Sequence, residues 1–166
     1  AWIGGTIDPE SGARLATDSA GNPLFLFELM RSAAAGNAVR IADGVYSVDR
    51  LVPGSRLASM LARRFAGLSA QARMLAEVIA AAQPLPVDLR RRDGRALDEL
   101  VAHELVTIEP RHGGDQARLS HPLFDDVLRA AMSPQRLRDV SATAAELLRG
   151  AAARATEPVA GELRLR

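Results

Sequence analysis

Apolar positions along the chain form helical stripes separated by glycine and proline. From Ser55, the residues Leu57, Met60, Leu61, Phe65 and Leu68 follow i, i+3, i+4 spacing, which puts them on one face of a helix closed by Gly67. A new helix opens with Ser69 as its cap and buries Leu75, Val78, Ile79 and Ala82 before Pro84 and Pro86 break it. Beyond the prolines, Leu97, Leu100, Val101 and Leu105 make a further stripe that runs into the alternating Val106-Thr107-Ile108. The period changes there from 3.6 to 2, as it does where a helix passes into a strand. Gly113-Gly114 supplies turn chemistry and Ala117-Arg118-Leu119 reads as the returning strand of a hairpin.

The first third follows the same logic. A short helix is predicted over about Glu10 to Ser19, and a second opens at Asn22-Pro23. Asparagine accepts hydrogen bonds well at a helix cap, and proline fits the first helical position, where its missing N–H costs nothing. That helix continues through Leu24, Phe27 and Met30 to about Ala35, closed by Gly36-Asn37. Val39 to Val48, centred on Gly44, reads as a small hairpin or an extended excursion. Two more helices start by a residue-then-proline device, at His121-Pro122 and Ser133-Pro134, the second carrying Leu137, Val140, Ala144, Leu147 and Leu148. Residues 151–166 lack sustained periodicity and read as a frayed end or a linker to a further domain.

Composition narrows the fold class. Of 166 residues, 48% are apolar but only 4% aromatic, and the dominance of Ala and Leu favours helices over a sandwich or barrel. The expected architecture is mainly α: a helical lid bundle over 1–68, then a winged helix-turn-helix with a small β-hairpin wing over 69–150. Lysine is absent, so apart from three histidines every basic residue is Arg, and the formal charge is +1. A strongly basic nucleic-acid footprint is missing. Without Cys there is no disulfide framework and no thiolate metal site. No leader pattern and no apolar run of transmembrane length is present. The chain reads as an internal, soluble, cytoplasmic fragment with no membrane contact.

Familiar catalytic signatures are also missing: no G-x-x-x-x-G-K-[ST], G-x-G-x-x-G, H-E-x-x-H or G-x-S-x-G. The lack of lysine removes a phosphate-loop lysine outright. His103, His112 and His121 have no ligand-like spacing, so neither a metal nor a catalytic residue is expected in the isolated chain. Asp125-Asp126 reads as an acidic helix start favoured by the helix dipole. Arg90-Arg91-Arg92 stands before a helix over about Arg95 to His103, but Asp88, Asp93, Asp98, Glu99 and Glu104 surround it.

Gly21-Asn22-Pro23-Leu24-Phe25-Leu26, with Glu28-Leu29, resembles the G-x-P helix start in the lid of signal-transduction (STAND-class, AAA+-like) ATPases, and in particular the "GNPLFL.EL" of large ATP-binding regulators of the LuxR type. Leu68-Ser69 with Ala72-Arg73 and Leu75 is similar to the "LS..AR.LL" that opens their winged helix. Leu97, Leu100, Leu105 and Val106 resemble "L..L...GLV", and Ser120-His121-Pro122-Leu123 with Val127-Leu128 resembles "F.HPL....VY". The helix from Gln135 to Leu148 is similar to the "R..LH...A..L" continuation. The matches run from about residue 18 to 148 in the family's order. Departures are Glu104 for a usual Gly, Ser120 for Phe, Leu128 for Tyr and Asp139 near a usual His.

The resemblance implies a nucleotide-dependent switch in a transcriptional regulator, with ATP or ADP held against an N-terminal ATPase core of the same polypeptide. By that resemblance, Pro23 of the Gly21-Asn22-Pro23 start packs near the adenine and His121 touches phosphates. It also implies possible self-association, and DNA contact through another domain of the parent. Plainer readings stand beside these: Asn22-Pro23 as a well-capped helix start, and His121 as a cap for the helix at Pro122. The competing functions are a winged-helix DNA-binding module, with the Arg95 to His103 helix in the major groove, and a purely structural helical adaptor.

Overall fold

A computed structural model describes residues 5–48, 51–86, 90–111 and 115–156. The element order is β1 (Thr6–Ile7), α1 (Pro9–Ser19), α2 (Pro23–Ala35), β2 (Val39–Ala42), β3 (Val45–Val48), α3 (Ser55–Arg63), α4 (Ala70–Ala82), β4 (Leu85–Pro86), α5 (Arg90–Ala102), β5 (Val106–Glu109), β6 (Gln116–Leu119), α6 (Pro122–Ala131) and α7 (Pro134–Thr156). The described residues are thus mainly helical, with two three-stranded sheets. They divide into two compact units. One comprises Ala1–Gly67 with His121–Ala131, the other Leu68–Ser120 with Met132–Arg166. Helix α6 therefore belongs with the elements before residue 68, rather than with the segment that precedes it in sequence.

In the first unit, α1, α2, α3 and α6 enclose a core of Leu15, Leu29, Leu57, Leu61, Phe65, Leu123, Phe124 and Leu128. The Phe65 and Phe124 rings meet edge to face at 5.1 Å, a favoured aromatic geometry. The sheet has the order β1-β3-β2. β2 and β3 form the expected hairpin, and Asp43 and Gly44 both take positive φ (52° and 75°), the combination that a two-residue turn matching strand twist requires. β1 pairs parallel to β3, a short strand that hydrophobic patterning did not indicate. The Ser11 hydroxyl accepts the Val48 N–H at 2.8 Å inside the unit. Glu28 is buried as well, and its carboxylate is met by Arg31 at 2.7 Å and Arg56 at 3.8 Å. Helix α3 stops at Arg63, shorter than its apolar stripe, and consecutive turns carry Phe65 into the core.

The second unit is built on α4, whose Ala72, Leu75, Ala76, Val78, Ile79 and Ala80 are all buried. Leu97 and Leu100 of α5, Val140 and Ala144 of α7, and Leu85, Val106 and Ala117 of the sheet complete its core. The antiparallel sheet runs β4-β6-β5. Pro86 lies in the edge strand β4, where a missing N–H is tolerated. Ser69 caps α4 by accepting the Ala72 N–H, while its own N–H and hydroxyl both donate to the Glu99 carboxylate at 2.7 Å. Glu77 of α4 receives Arg136 of α7. The last helix continues past Gly150 to Thr156, beyond the point where apolar periodicity lapses, and residues 157–166 lie outside the described residues. Ala151, Ala152, Ala153 and Ala155 sustain the helix, because alanine has the strongest helix propensity and needs no apolar stripe. His112, the Gly113-Gly114 turn and the side chains of Arg90, Arg91 and Arg92 lie outside the described residues.

Candidate functional site

The residues singled out from sequence, Gly21, Asn22, Pro23 and His121, all fall in the first unit. The local chain explains why. Helix α1 ends when Ala20 and Gly21 both turn left-handed (φ 47° and 74°), a backbone that glycine adopts freely and alanine does not. This reverses the chain, and the Asn22 N–H bonds back to the Ser19 carbonyl at 2.9 Å. Asn22 then caps α2: its side-chain oxygen accepts the Leu24 N–H at 3.0 Å and the Phe25 N–H at 3.4 Å. Pro23 occupies the first helical turn.

Pro23 also lines an open pocket of about 360 Å³ with Gly5, Ile7, Leu15, Leu26, Phe27 and Met30. Its lining is predominantly apolar. Leu24, Leu26 and Phe27 are 46%, 39% and 44% exposed, so α2 is apolar on its outer as well as its inner face. A helix of that kind in a water-soluble setting is ordinarily covered on both sides.

Although about 100 residues away in sequence, His121 is brought to the same end of α2. Its ring meets Phe25 edge to face at 5.1 Å and Phe124 at 5.6 Å. Nδ1 accepts the Leu123 N–H at 3.2 Å, so His121 caps α6. That bond fixes the neutral tautomer, because an Nδ1 that accepts a hydrogen bond carries no proton and the ring N–H must sit at Nε2. Nε2 is sealed from solvent with no partner at hydrogen-bond geometry, though the Ser19 carbonyl is near enough to favour the protonated ring. Burial dominates and lowers the His121 pKa below its usual 6.5, against the upward pull of Ser19 and Asp18. Asp18 is raised above 3.8, again chiefly by burial, opposed by Arg14 and His121.

The arrangement holds one N–H donor, at Nε2, out of solvent near the C-terminal end of α1 and, on another side of α2, an apolar slot. His121 is not among the residues that line the slot. Sequence reasoning missed Asp18, Ser19, Phe25, Ile7 and Leu15 as members of this neighbourhood. Phe25 stood inside the quoted motif, but nothing in the spacing marked Asp18. Elsewhere in this unit, a second pocket of about 400 Å³ is walled by Leu51, Val52, Pro53, Ala58, Asp126, Val127, Arg129 and Ala130. Among the described residues no group of three or more His, Cys, Asp or Glu is placed to hold a metal. No described helix is long and apolar enough to cross a membrane. No protein family, no curated protein and no solved structure matches the chain.

Proposed function

We propose that the chain is the lid and winged-helix portion of a STAND-class ATPase of the large LuxR type, a cytoplasmic nucleotide-dependent switch in a transcriptional regulator. ATP or ADP is held jointly with an ATPase core elsewhere in the polypeptide, and these residues are not catalytic by themselves. The observation that carries the reading is the apolar pocket with Pro23 in its wall. Its volume falls within the roughly 300–1,000 Å³ usual for small-ligand sites, and its walls suit the face of a purine. The exposed apolar arc of Leu24, Leu26 and Phe27 is the surface on which the core docks. His121, whose Nε2 is sealed from solvent in this arrangement, donates Nε2–H to a phosphate oxygen once the helix ends around it part, an interaction strengthened by the anion's charge.

The second unit supports the same reading. Its sheet order, in which the strand before α5 pairs with the far strand of the following hairpin, supports reading it as a winged helix. It departs in having one helix, α5, between β4 and β5 among the described residues. The test is nucleotide retention by a longer polypeptide carrying the ATPase core. His121→Ala is expected to release ADP at least tenfold faster, and Pro23→Ala to weaken adenine nucleotides without affecting inorganic phosphate. Unchanged retention in His121→Ala, or tight ADP binding by residues 1–166 alone in calorimetry, overturns the assignment.

A further inference from the structure

Residue 121 is where two helix ends of opposite polarity meet one titratable ring. The N-terminus of α6 presents the Leu123 N–H to Nδ1. At the C-terminal end of α1, the Ser19 carbonyl and the Asp18 carboxylate both favour the protonated ring. A helix N-terminus disfavours positive charge and a C-terminus favours it, so the two neighbours prefer opposite states of the ring.

We infer that His121 is a proton-operated latch on α6: neutral, it caps the helix through Nδ1, and a proton taken up at Nδ1 uncaps the helix and turns the ring's charge toward Asp18 and Ser19. The balance is simple. The Leu123 N–H is a fixed donor, and a protonated Nδ1 is also a donor, so the two cannot face each other. The released Leu123 N–H goes to water, and the imidazolium keeps Nε2–H toward the α1 end.

The charged groups around the ring are few. From α1 come Asp18 and, acting on Asp18, Arg14, which is itself paired with Glu10 at 2.9 Å. From α2 comes the uncharged Phe25 ring; Glu28 on that helix is engaged with Arg31 and Arg56. On α6, Asp125 is tied to Arg129. Among the described residues, Asp18 is therefore the one carboxylate acting directly on the ring. The sign follows from the lowered basicity of the ring. The unfolded chain takes up the proton first, so the stabilising effect of the neutral cap is complete above pH 6.5 and fades as pH falls through the lower folded value. The latch goes beyond the nucleotide reading and needs no nucleotide.

The test is an NMR titration of the 166-residue chain labelled with ¹⁵N, with His121 assigned through His121→Asn. Above neutral pH the ring is expected as the Nε2–H tautomer. As it protonates below pH 6.5, the Leu123 amide, corrected for intrinsic exchange, should exchange about five- to tenfold faster, the equivalent of losing one cap. In His121→Asn, whose amide oxygen caps at every pH, Leu123 protection should not vary over this range. Asp18→Asn should shift the His121 midpoint further down. An Nδ1–H tautomer at high pH, or the same Leu123 protection on both sides of the His121 midpoint, overturns the latch. An unmoved midpoint in Asp18→Asn overturns the role given to α1. Should His121→Asn fail to fold, the unsubstituted chain still decides, with assignment by through-bond spectra. Because no step involves ADP, failure here leaves the nucleotide reading standing, and the reverse holds too.

Discussion

Arg136→Ala is expected to destabilise the second unit more than Glu77→Leu, although both remove the same ion pair. Arg136 donates from Nε at 2.8 Å and from Nη2 at 2.7 Å to one oxygen of Glu77, while Arg73 stands 3.6 Å from the other. The Glu77 side chain is only 11% accessible, but Arg136 and Arg73 are 42% and 44% accessible. Removing Arg136 strands a nearly buried carboxylate. Breaking a fully buried pair in this way costs about 3–5 kcal/mol. The exposure of Arg136 and the residual help of Arg73 reduce that to about 2 kcal/mol, near the value of one charged hydrogen bond. For a unit of this size, that corresponds to a fall in Tm of about 8–16 °C. Removing Glu77 instead strands nothing, since both guanidinium groups already reach water and leucine fills a similar volume. Its cost should stay within about 1 kcal/mol of the unsubstituted chain. Urea unfolding followed by far-ultraviolet circular dichroism measures both. A Glu77→Leu cost equal to or above that of Arg136→Ala refutes the reasoning, because the penalty would then reside in the pair's attraction and not in the stranded charge.

Two further outcomes follow from the second unit. Glu104 takes a left-handed φ of 57° at the end of α5, where the Leu105 N–H reaches back to the Leu100 carbonyl at 2.9 Å; Glu104→Gly should therefore stabilise the chain by about 0.5–1 kcal/mol, and a loss of stability in thermal melts would contradict this. The Ser69 hydroxyl and N–H hold Glu99 below its ordinary 4.5, so its contribution is present above pH 4.5 and is lost as pH falls through the lower folded value. A ¹³C carboxyl titration should place the Glu99 midpoint below 4.5 and move it up in Ser69→Ala, while Glu99→Gln should flatten the acid limb of stability.

Where a feature of this chain depended on neighbours in sequence, it could be read from sequence. Asn22-Pro23, Ser69 and Ser133-Pro134 mark helix starts because cap and first turn are adjacent residues, and Gly44 marks a hairpin because the turn is local. The Gly that the resembled pattern carries where Glu104 stands also has a local cause, visible in the positive φ that Glu104 takes there. What escaped was set by distant partners. Thr6–Ile7 becomes a strand only because β3 offers it an edge, and Leu85–Pro86 only because β6 does. Of the residues singled out for the candidate site, the capping roles of Asn22 and His121 were legible. The placement of Asp18 and Ser19 beside the ring depends on the α1–α2 reversal at Ala20-Gly21, whose geometry no periodicity reports.

The return of residues 121–131 to the first unit has a consequence for biosynthesis. A ribosome releases Ala1–Gly67 long before Leu123, Phe124, Val127 and Leu128 exist to complete the core around Leu57 and Phe65. The second unit in turn waits for Val140 and Ala144 of α7 to cover α4. Neither unit can close early, so both nascent cores stay exposed together until residues 121–144 have emerged. A truncation at Ser120 would free neither half as a folded piece, and limited proteolysis should find it easier to destroy the chain than to divide it.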